Sequence, residues 1–228
     1  MEKAQEFIIK YTKRKSLRLS FTKDALIEVR APLGTSRKII DDFVKNHHDW
    51  IEKYYAAVKK QVDSRDGFHL SFGDQLLFFG KTYDLVPMDE KNSGFNGECF
   101  YAHRMLGSQE LKNEVVTTYR DLAQQVLVQQ VESISQHMKL KPQSVKINGA
   151  KSRWGSCSSK GRLNFSWYLV MADEATVNYV VVHELAHLLE MNHSPKFWKI
   201  VEQILPNYQQ EKKKLKELQK TLITQKWE

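Results

Sequence analysis

The sequence predicts an α+β protein in which an N-terminal β-rich region with one long helix precedes a second α+β domain. Two observations predict this fold class. Apolar and polar residues alternate with period two in several short segments of the first hundred residues. In longer segments, apolar residues recur at three- and four-residue steps, which is typical of helices with one buried face. We place the boundary so that residues 1–104 form the β-rich region and residues 105–228 form the second domain.

The β-rich region is predicted to begin with an antiparallel meander, because three short alternating segments are separated by turn residues. Ser36 can cap one long helix that runs to about Val62. Short strands are then predicted at residues 68–72, 75–79, 82–86 and 98–103. We find no catalytic motif in this region and expect it to shape a substrate cleft or to hold a partner.

The second domain is predicted to start with a helix from Ser108 to about Met138, whose apolar stripe faces the core. A strand is predicted at residues 162–170, and we expect it to lie at the edge of a cleft, where it can pair with an extended peptide. Asp173 can cap the next helix, which is predicted for residues 174–191. Two further helices are predicted to complete the chain.

The helix predicted for residues 174–191 carries the motif H-E-x-x-H, formed by His183, Glu184 and His187. Residues four apart lie on one face of an α-helix, about one turn apart, so the two imidazoles can reach one metal ion. Glu184 is close enough to act on a water at that metal, which is the role of the general base in a zinc hydrolase.

The motif is embedded in apolar sequence, because Tyr179 and three valines precede it and leucine and alanine residues fill its gaps. A helix that is apolar on most sides is buried. Buried imidazoles and a buried carboxylate need a partner, since an unpaired buried polar group costs roughly 1–3 kcal/mol. A metal ion is such a partner. One Zn²⁺ ion is the expected cofactor, although histidine also accepts iron, manganese and nickel.

A catalytic zinc ion usually takes three protein ligands and keeps one position for water. His193 is the favoured third ligand, because it follows His187 by six residues and Asn192 suits a left-handed helix end at which the chain turns back. Two rivals remain, Glu190 in the same segment and Glu202 in the following helix. Glu190 is also a candidate hydrogen-bond partner of an imidazole N–H.

Two segments together carry a family resemblance. H-E-L-A-H-L-L-E-M-N-H-S-P-K-F-W at residues 183–198, with S-R-W-G-S-C at residues 152–157, resembles the YgjP-like family of metal-dependent hydrolases and metallopeptidases. The segments are more distantly similar to SprT-like and WLM zinc peptidases. This resemblance implies a zincin-like metallohydrolase domain in which His183, His187 and His193 bind zinc. Glu184 is then implied to be the catalytic base.

The net charge of +8 suits an anionic partner such as nucleic acid, a phosphate or an acidic polypeptide. Basic residues cluster in the loop before the metal-binding helix, where they are candidate contacts for substrate or phosphate: Lys151, Arg153, Lys160 and Arg162. A second cluster near the C-terminus interleaves with leucine residues and is predicted to be the solvated face of a helix: Lys212, Lys213, Lys214 and Lys216.

The two cysteines, Cys99 and Cys157, lie far apart, which argues against a disulfide framework or a structural zinc ribbon. No apolar run is long enough to span a bilayer, and the first residues do not form an apolar signal region. We therefore expect no membrane partner and a cytoplasmic location.

The motif favours a zinc metallopeptidase in which a metal-activated water attacks a polypeptide and Glu184 is the general base. One alternative is a metal-dependent nucleoside triphosphate pyrophosphatase or phosphohydrolase whose basic residues hold phosphates. Another is a DNA-associated protease, which the charge and the SprT-like resemblance suggest. Candidate donors to the developing oxyanion are Arg153, Tyr179 and Tyr208.

Overall fold

The structure is a computed structural model that describes residues 6–89 and 91–227. These residues form three small sheets and six α-helices, so the predicted α+β fold class is confirmed. The strands are β1 (Phe7–Thr12), β2 (Arg18–Phe21), β3 (Ile27–Pro32), β4 (Gln75–Phe78), β5 (Lys81–Met88), β6 (Gly94–Phe95), β7 (Phe100–His103), β8 (Ser144–Asn148), β9 (Gly155–Cys157) and β10 (Arg162–Ser166). The helices are α1 (Arg37–Lys45), α2 (His48–Asp66), α3 (Ser108–His137), α4 (Glu174–Ala186), α5 (Pro195–Ile204) and α6 (Tyr208–Leu222). No helix among the described residues is both long enough and apolar enough to cross a membrane.

The chain divides into two compact units. Of the described residues, the first unit contains residues 6–68 and 222–226, and the second contains residues 69–221 together with Trp227. The second unit therefore includes the strands β4 to β7 as well as everything from α3 to most of α6. The domain boundary expected after residue 104 stays a prediction.

The first unit is built on a sheet with the strand order β1-β3-β2. β1 runs parallel to β3 and β2 runs antiparallel to it, so the predicted antiparallel meander is wrong. β3 takes the central position because it is the most apolar strand, with Ile27, Val29 and Ala31 buried. These side chains form a core with residues of α1 and α2, including Ile40 and Ile51.

The single helix predicted from Ser36 to Val62 is divided into α1 and α2 at Asn46 and His47. The ring Nδ1 of His47 lies 2.8 Å from the carbonyl oxygen of Phe43, which a continuous helix would pair with the main-chain N–H of residue 47. That N–H instead donates to the carbonyl oxygen of Val44. A side chain thus takes over a main-chain acceptor and ends α1.

In the second unit, the strand predicted at residues 68–72 does not form. The main-chain N–H of Ser71 donates to the Asp74 carboxylate at 2.8 Å, and the N–H of Asp74 returns to the Ser71 carbonyl at 3.1 Å. These bonds make a turn around Gly73, which has a φ of +93°. The four-stranded sheet that follows has the order β4-β5-β7-β6.

β4 and β5 are joined by the two-residue turn Phe79-Gly80, in which both residues have positive φ. A Cβ atom at Gly80 would lie 2.8 Å from the Cβ of Asp173. The glycine therefore serves both the turn and the close approach of the hairpin to the residue that caps α4.

The third sheet has the order β8-β10-β9, with β8 parallel and β9 antiparallel to β10. β10 is thus the central strand, and the expectation that residues 162–170 form a cleft edge is wrong. The strand ends at Ser166, and the buried apolar run Trp167–Met171 continues as a 3-10 helix. Its Trp167 stacks on Tyr119 of α3 at a ring-centroid distance of 5.5 Å. β9 is one of the two edge strands of this sheet, and it packs against α4.

Candidate metal centre

The H-E-x-x-H motif begins on α4, a helix that is buried on most sides. The Asp173 carboxylate caps its first turn by accepting a hydrogen bond of 2.8 Å from the N–H of Thr176. Val177, Val181 and Leu185 are fully buried and fix the helix in the core. His183 and His187 consequently point to one side of the helix from a rigid support.

α4 ends at Ala186, five residues earlier than predicted, and His187 is the residue that follows the helix. The Nδ1 atom of His187 lies 3.1 Å from the main-chain carbonyl of Glu190, so the imidazole itself closes the turn. The expectation that Asn192 adopts a left-handed backbone conformation is wrong, because its φ is not positive. Its side-chain oxygen accepts a hydrogen bond of 3.0 Å from the N–H of Ser194 and turns the chain towards α5.

This turn brings His193 back to the other two histidines. One ring nitrogen from each of His183, His187 and His193 can be chosen so that all three atoms lie within 4.8 Å of one another. The Nε2 atoms of His183 and His193 are 3.0 Å apart. Neighbouring rings are separated by 4.8 to 5.0 Å between centroids, and the buried ring of Phe197 lies within 4.8 Å of each.

The two rival ligands occupy other positions. Glu190 meets His187 through its backbone carbonyl, although the sequence suggested its carboxylate as the partner of an imidazole. Glu202 is exposed on α5. Within the described residues, the group of potential ligands around this site consists of the three histidines alone.

The protonation of the histidines suits a metal. Burial lowers the pKa of His183 to about 3, and the charges of His187, His193 and Lys212 act in the same direction. Burial, together with His187 and Lys212, also lowers the pKa of His193. Both imidazoles are therefore neutral at pH 7, which leaves a nitrogen lone pair free for a ligand bond.

The Glu184 carboxylate is buried and lies directly against strand β9. A Cβ atom built on Gly155 would be 2.6 Å from Cγ and 2.7 Å from Oε1 of Glu184, so only glycine allows this approach. Burial raises the pKa of Glu184 to about 7, although the positive charge of Arg153 opposes that shift. The carboxyl group can thus both accept and return a proton near neutral pH.

Cys157, at the far end of β9, is half-buried. Burial and the nearby charge of Glu184 raise the pKa of its thiol. The thiol is therefore protonated at neutral pH, as expected for a cysteine with a packing role.

Of the four basic residues in the loop, Arg153 is the one whose charge acts on the pKa of Glu184, which it lowers. Arg162 lies at the opposite end of β10, where its Nε donates to the side-chain oxygen of Gln143 at 2.8 Å. Lys160 is exposed in the turn before it, and the backbone carbonyl of Lys151 accepts a bond of 3.4 Å from Gln219. The loop therefore does not bring its four charges to one point beside the histidines.

The lysines of α6 lie closer to the centre than the sequence suggested. Although exposed, three of them line a cavity of about 450 Å³ together with two aromatic residues and one glutamine: Lys212, Lys213, Lys216, Trp198, Tyr208 and Gln209. The cavity is adjacent to the histidines, because Trp198 stacks on His193 at 5.7 Å and Lys212 lies 5.0 Å from the Trp198 ring.

The two tyrosines considered as oxyanion donors flank this region. Tyr179 is buried one turn before His183, and burial, with Tyr208 and Glu184 nearby, raises the pKa of its hydroxyl to about 12. Tyr208 stacks on Tyr179 at 6.2 Å. The Tyr179 hydroxyl therefore remains protonated at neutral pH and is available as a hydrogen-bond donor.

The sequence-based account missed two features of the site: the approach of Gly155 to Glu184 and the Lys212 charge beside the histidines. Each is a contact between segments that are distant in sequence. A glycine inside a short strand was the one local signal for a close approach.

The three convergent imidazoles beside a buried carboxylate are a group that could hold a metal ion. The chain belongs to the YgjP-like family, whose metallopeptidase domain matches residues 15–218. The resemblance seen in the sequence is thereby confirmed, and the protein is a metal-dependent peptidase in general terms. None of the curated proteins matches the chain.

One solved structure is similar to part of the chain, the metallopeptidase zymogen of Pyrococcus abyssi abylysin. The identity is 23%, and the match covers 42% of this chain and 94% of that one with a TM-score of 0.37.

Proposed function

We propose that the protein is a zinc metallopeptidase in which His183, His187 and His193 bind one zinc ion. The convergence of three imidazole nitrogens within 4.8 Å is the observation that carries this proposal. One other supports it. The Nδ1 of His187 faces a carbonyl oxygen and is therefore the protonated nitrogen, which leaves Nε2 as the ligand atom.

Glu184 is the proposed general base. When bound, zinc supplies Lewis-acid chemistry and makes a water molecule more acidic. The Glu184 carboxylate accepts a proton from the attacking water and then delivers it to the departing amine. A pKa of about 7 suits both steps, because the two protonation states are then similarly populated at neutral pH.

The substrate we propose is a polypeptide. β9 is the edge strand next to Glu184, and an extended peptide can add to such an edge through main-chain hydrogen bonds. This role falls to β9 because β10 is already paired on both sides. Arg153, Tyr179 and Tyr208 remain the proposed donors to the developing negative charge, and the cytoplasm remains the predicted location.

Hydrolysis of a nucleoside triphosphate is a second candidate, because three lysines line a cavity beside the histidines. Ammonium groups bind phosphates as point charges. The loop residues expected to hold the phosphates do not converge on the site, which makes this the weaker of the two functions.

The test compares the zinc-loaded protein with its Glu184→Gln and Glu132→Gln variants. Each is incubated with a denatured protein and, separately, with a panel of nucleoside triphosphates. We expect new amino termini only from the protein substrate, a loss of activity of at least about 100-fold in Glu184→Gln, and unchanged activity and zinc content in the exposed control Glu132→Gln. Release of phosphate or pyrophosphate without new amino termini would replace the peptidase by the second candidate. Full activity of Glu184→Gln would remove the proposed base.

A further inference from the structure

The cavity beside the metal centre is lined by positive charge that the protein does not neutralise. Among the described residues, no acidic side chain pairs with Lys212, Lys213 or Lys216, whereas Lys214 and Lys220 of the same helix both form ion pairs. Three unpaired ammonium groups around one cavity repel each other, and an anion in the cavity would relieve that repulsion.

The helix that carries these lysines is fixed to the metal-binding helix. The Thr176 hydroxyl donates to the Glu211 carboxylate at 2.8 Å, and Lys214 lies 3.1 Å from both Glu211 and Asp173. The carboxylate of Glu211, in the first turn of α6, is therefore already bonded to α4 and to Lys214. These bonds set the position of Lys212, Lys213 and Lys216 relative to the histidines, and none of those three lysines takes part in them.

The aromatic residues of the cavity stack in one column. Tyr208 lies between Tyr179, at 6.2 Å, and Trp198, at 5.3 Å, and Trp198 stacks in turn on His193 at 5.7 Å. The faces through which these rings stack are therefore occupied, and the Lys212 ammonium lies over the Trp198 ring at 5.0 Å. A nucleobase needs a free aromatic face to stack on, whereas a carboxylate is attracted by the positive edges of such rings and by ammonium groups.

We infer that this cavity binds a carboxylate of the polypeptide substrate, either an acidic side chain near the scissile bond or the terminal carboxylate of a short peptide. This inference rests on the proposed peptidase function. It names a substrate class, polypeptides with a carboxylate near the scissile bond, and it accounts for the position of Lys212 one aromatic ring away from His193.

The test measures equilibrium binding, so that it does not depend on catalysis. The full chain carrying Glu184→Gln is loaded with zinc and titrated with four labelled peptides of otherwise neutral sequence. They contain either Glu or Gln at one position and end in either a free carboxylate or an amide. We expect the peptides with Glu or with a free terminus to bind about 3- to 10-fold more tightly than the Gln amide, the range for a partly exposed charge contact. This difference should shrink at high salt.

A lysine pair identifies the site. When Lys212→Gln and Lys216→Gln are added to the Glu184→Gln protein, the preference for peptides with a carboxylate should disappear. When Lys212→Glu and Lys216→Glu are added instead, the protein should prefer a peptide with Lys at the variable position. The matched pair Lys59→Gln and Lys60→Gln, which removes the same charge from exposed positions of α2, should retain the preference for a carboxylate. Melting curves establish that each variant is folded.

Equal affinity for all four peptides would overturn the inference, and this comparison needs no lysine variant. So would displacement of the Glu peptide by ATP at lower concentrations than by an unlabelled Glu peptide, because the cavity would then be a phosphate site. Absence of hydrolysis by the wild-type protein would overturn the proposed function but would leave these binding results to decide the carboxylate site.

Discussion

Gly155 matters to the site because it has no side chain. The Glu184 carboxylate occupies the space that a Cβ atom at this position would need, at distances of 2.6 to 2.8 Å. We expect Gly155→Ala to displace the carboxylate and to reduce kcat by at least about 10-fold, since misplacement of a catalytic group by about 1 Å can cost about 100-fold. Zinc content should be unchanged, because no ligand is touched.

Gly107→Ala is the matched control for this substitution. A Cβ atom there would meet nothing closer than Glu110 Oε2 at 3.7 Å, and the residue lies at the start of α3, outside the site. Kinetic constants and bound zinc are measured for both variants. Wild-type kcat in a folded Gly155→Ala protein would show that Glu184 works equally well in a displaced position.

At the same scale, spacing alone predicted that His183 and His187 share one side of a helix, because helical geometry is local. The sequence also led us to expect that His193 approaches the other two histidines, but it did not show which bonds turn the chain there. Asn192 turns the chain through a side-chain hydrogen bond, and the imidazole of His187 closes the preceding turn, so competing local bonds decided the path.

At the scale of elements, the start of α4 offers a test of how the metal-binding helix is held. Asp173 caps its first turn and forms an ion pair with Lys214 of α6. We expect Asp173→Ala to lower the free energy of unfolding by about 1 kcal/mol, which is typical for loss of an N-cap. Asp173→Asn should cost less, since the amide oxygen can still cap the helix, and the exposed Asp121→Ala of α3 should stay within about 0.5 kcal/mol. Urea unfolding curves measure all three.

The pH dependence of this contribution has a definite sign. Burial alone raises the pKa of Asp173, but the hydrogen bond from the Thr176 N–H and the contacts with Lys214 outweigh it, and the net shift is downward. The stabilisation is therefore present above the ordinary pKa of aspartate and is lost as pH falls through the lowered value. An Asp173→Ala protein that lost no stability at pH 7 would contradict the proposed cap.

The bounds of an element were predicted well where apolar residues recur periodically along the sequence. The position of a strand within its sheet was predicted poorly, because it depends on which strands pair. The helix predicted from Ser108 to about Met138 matches α3 closely. The central position of β10 and the parallel pairing of β1 with β3 depend on which strands meet in space, and alternation along one strand carries no information about its neighbours.

For the whole molecule, the sequence predicted the α+β class but not the division into units. β4 to β7 belong with the metal-binding unit because β7 and β6 pack on α3, and because the turn at Gly80 meets Asp173. The sequence of the first hundred residues predicts short strands on both sides of one long helix and gives no sign of a break at residue 68. Only the packing of these strands on later helices reveals it.

Stability of the whole protein should depend on the metal, since a ligand that binds the folded state alone stabilises it by mass action. Zinc at about 1,000 times its Kd contributes about 4 kcal/mol, and each kcal/mol raises the Tm by roughly 2–4 °C for a domain of this size. We expect a chelator to lower the Tm and zinc to restore it.

In His193→Ala, zinc should raise the Tm far less, because one of three ligands is gone. The exposed His48→Ala control on α2 should respond like the wild type. Differential scanning calorimetry of the three proteins measures these shifts, and an equal response of His193→Ala and the wild type to zinc would remove His193 from the metal centre.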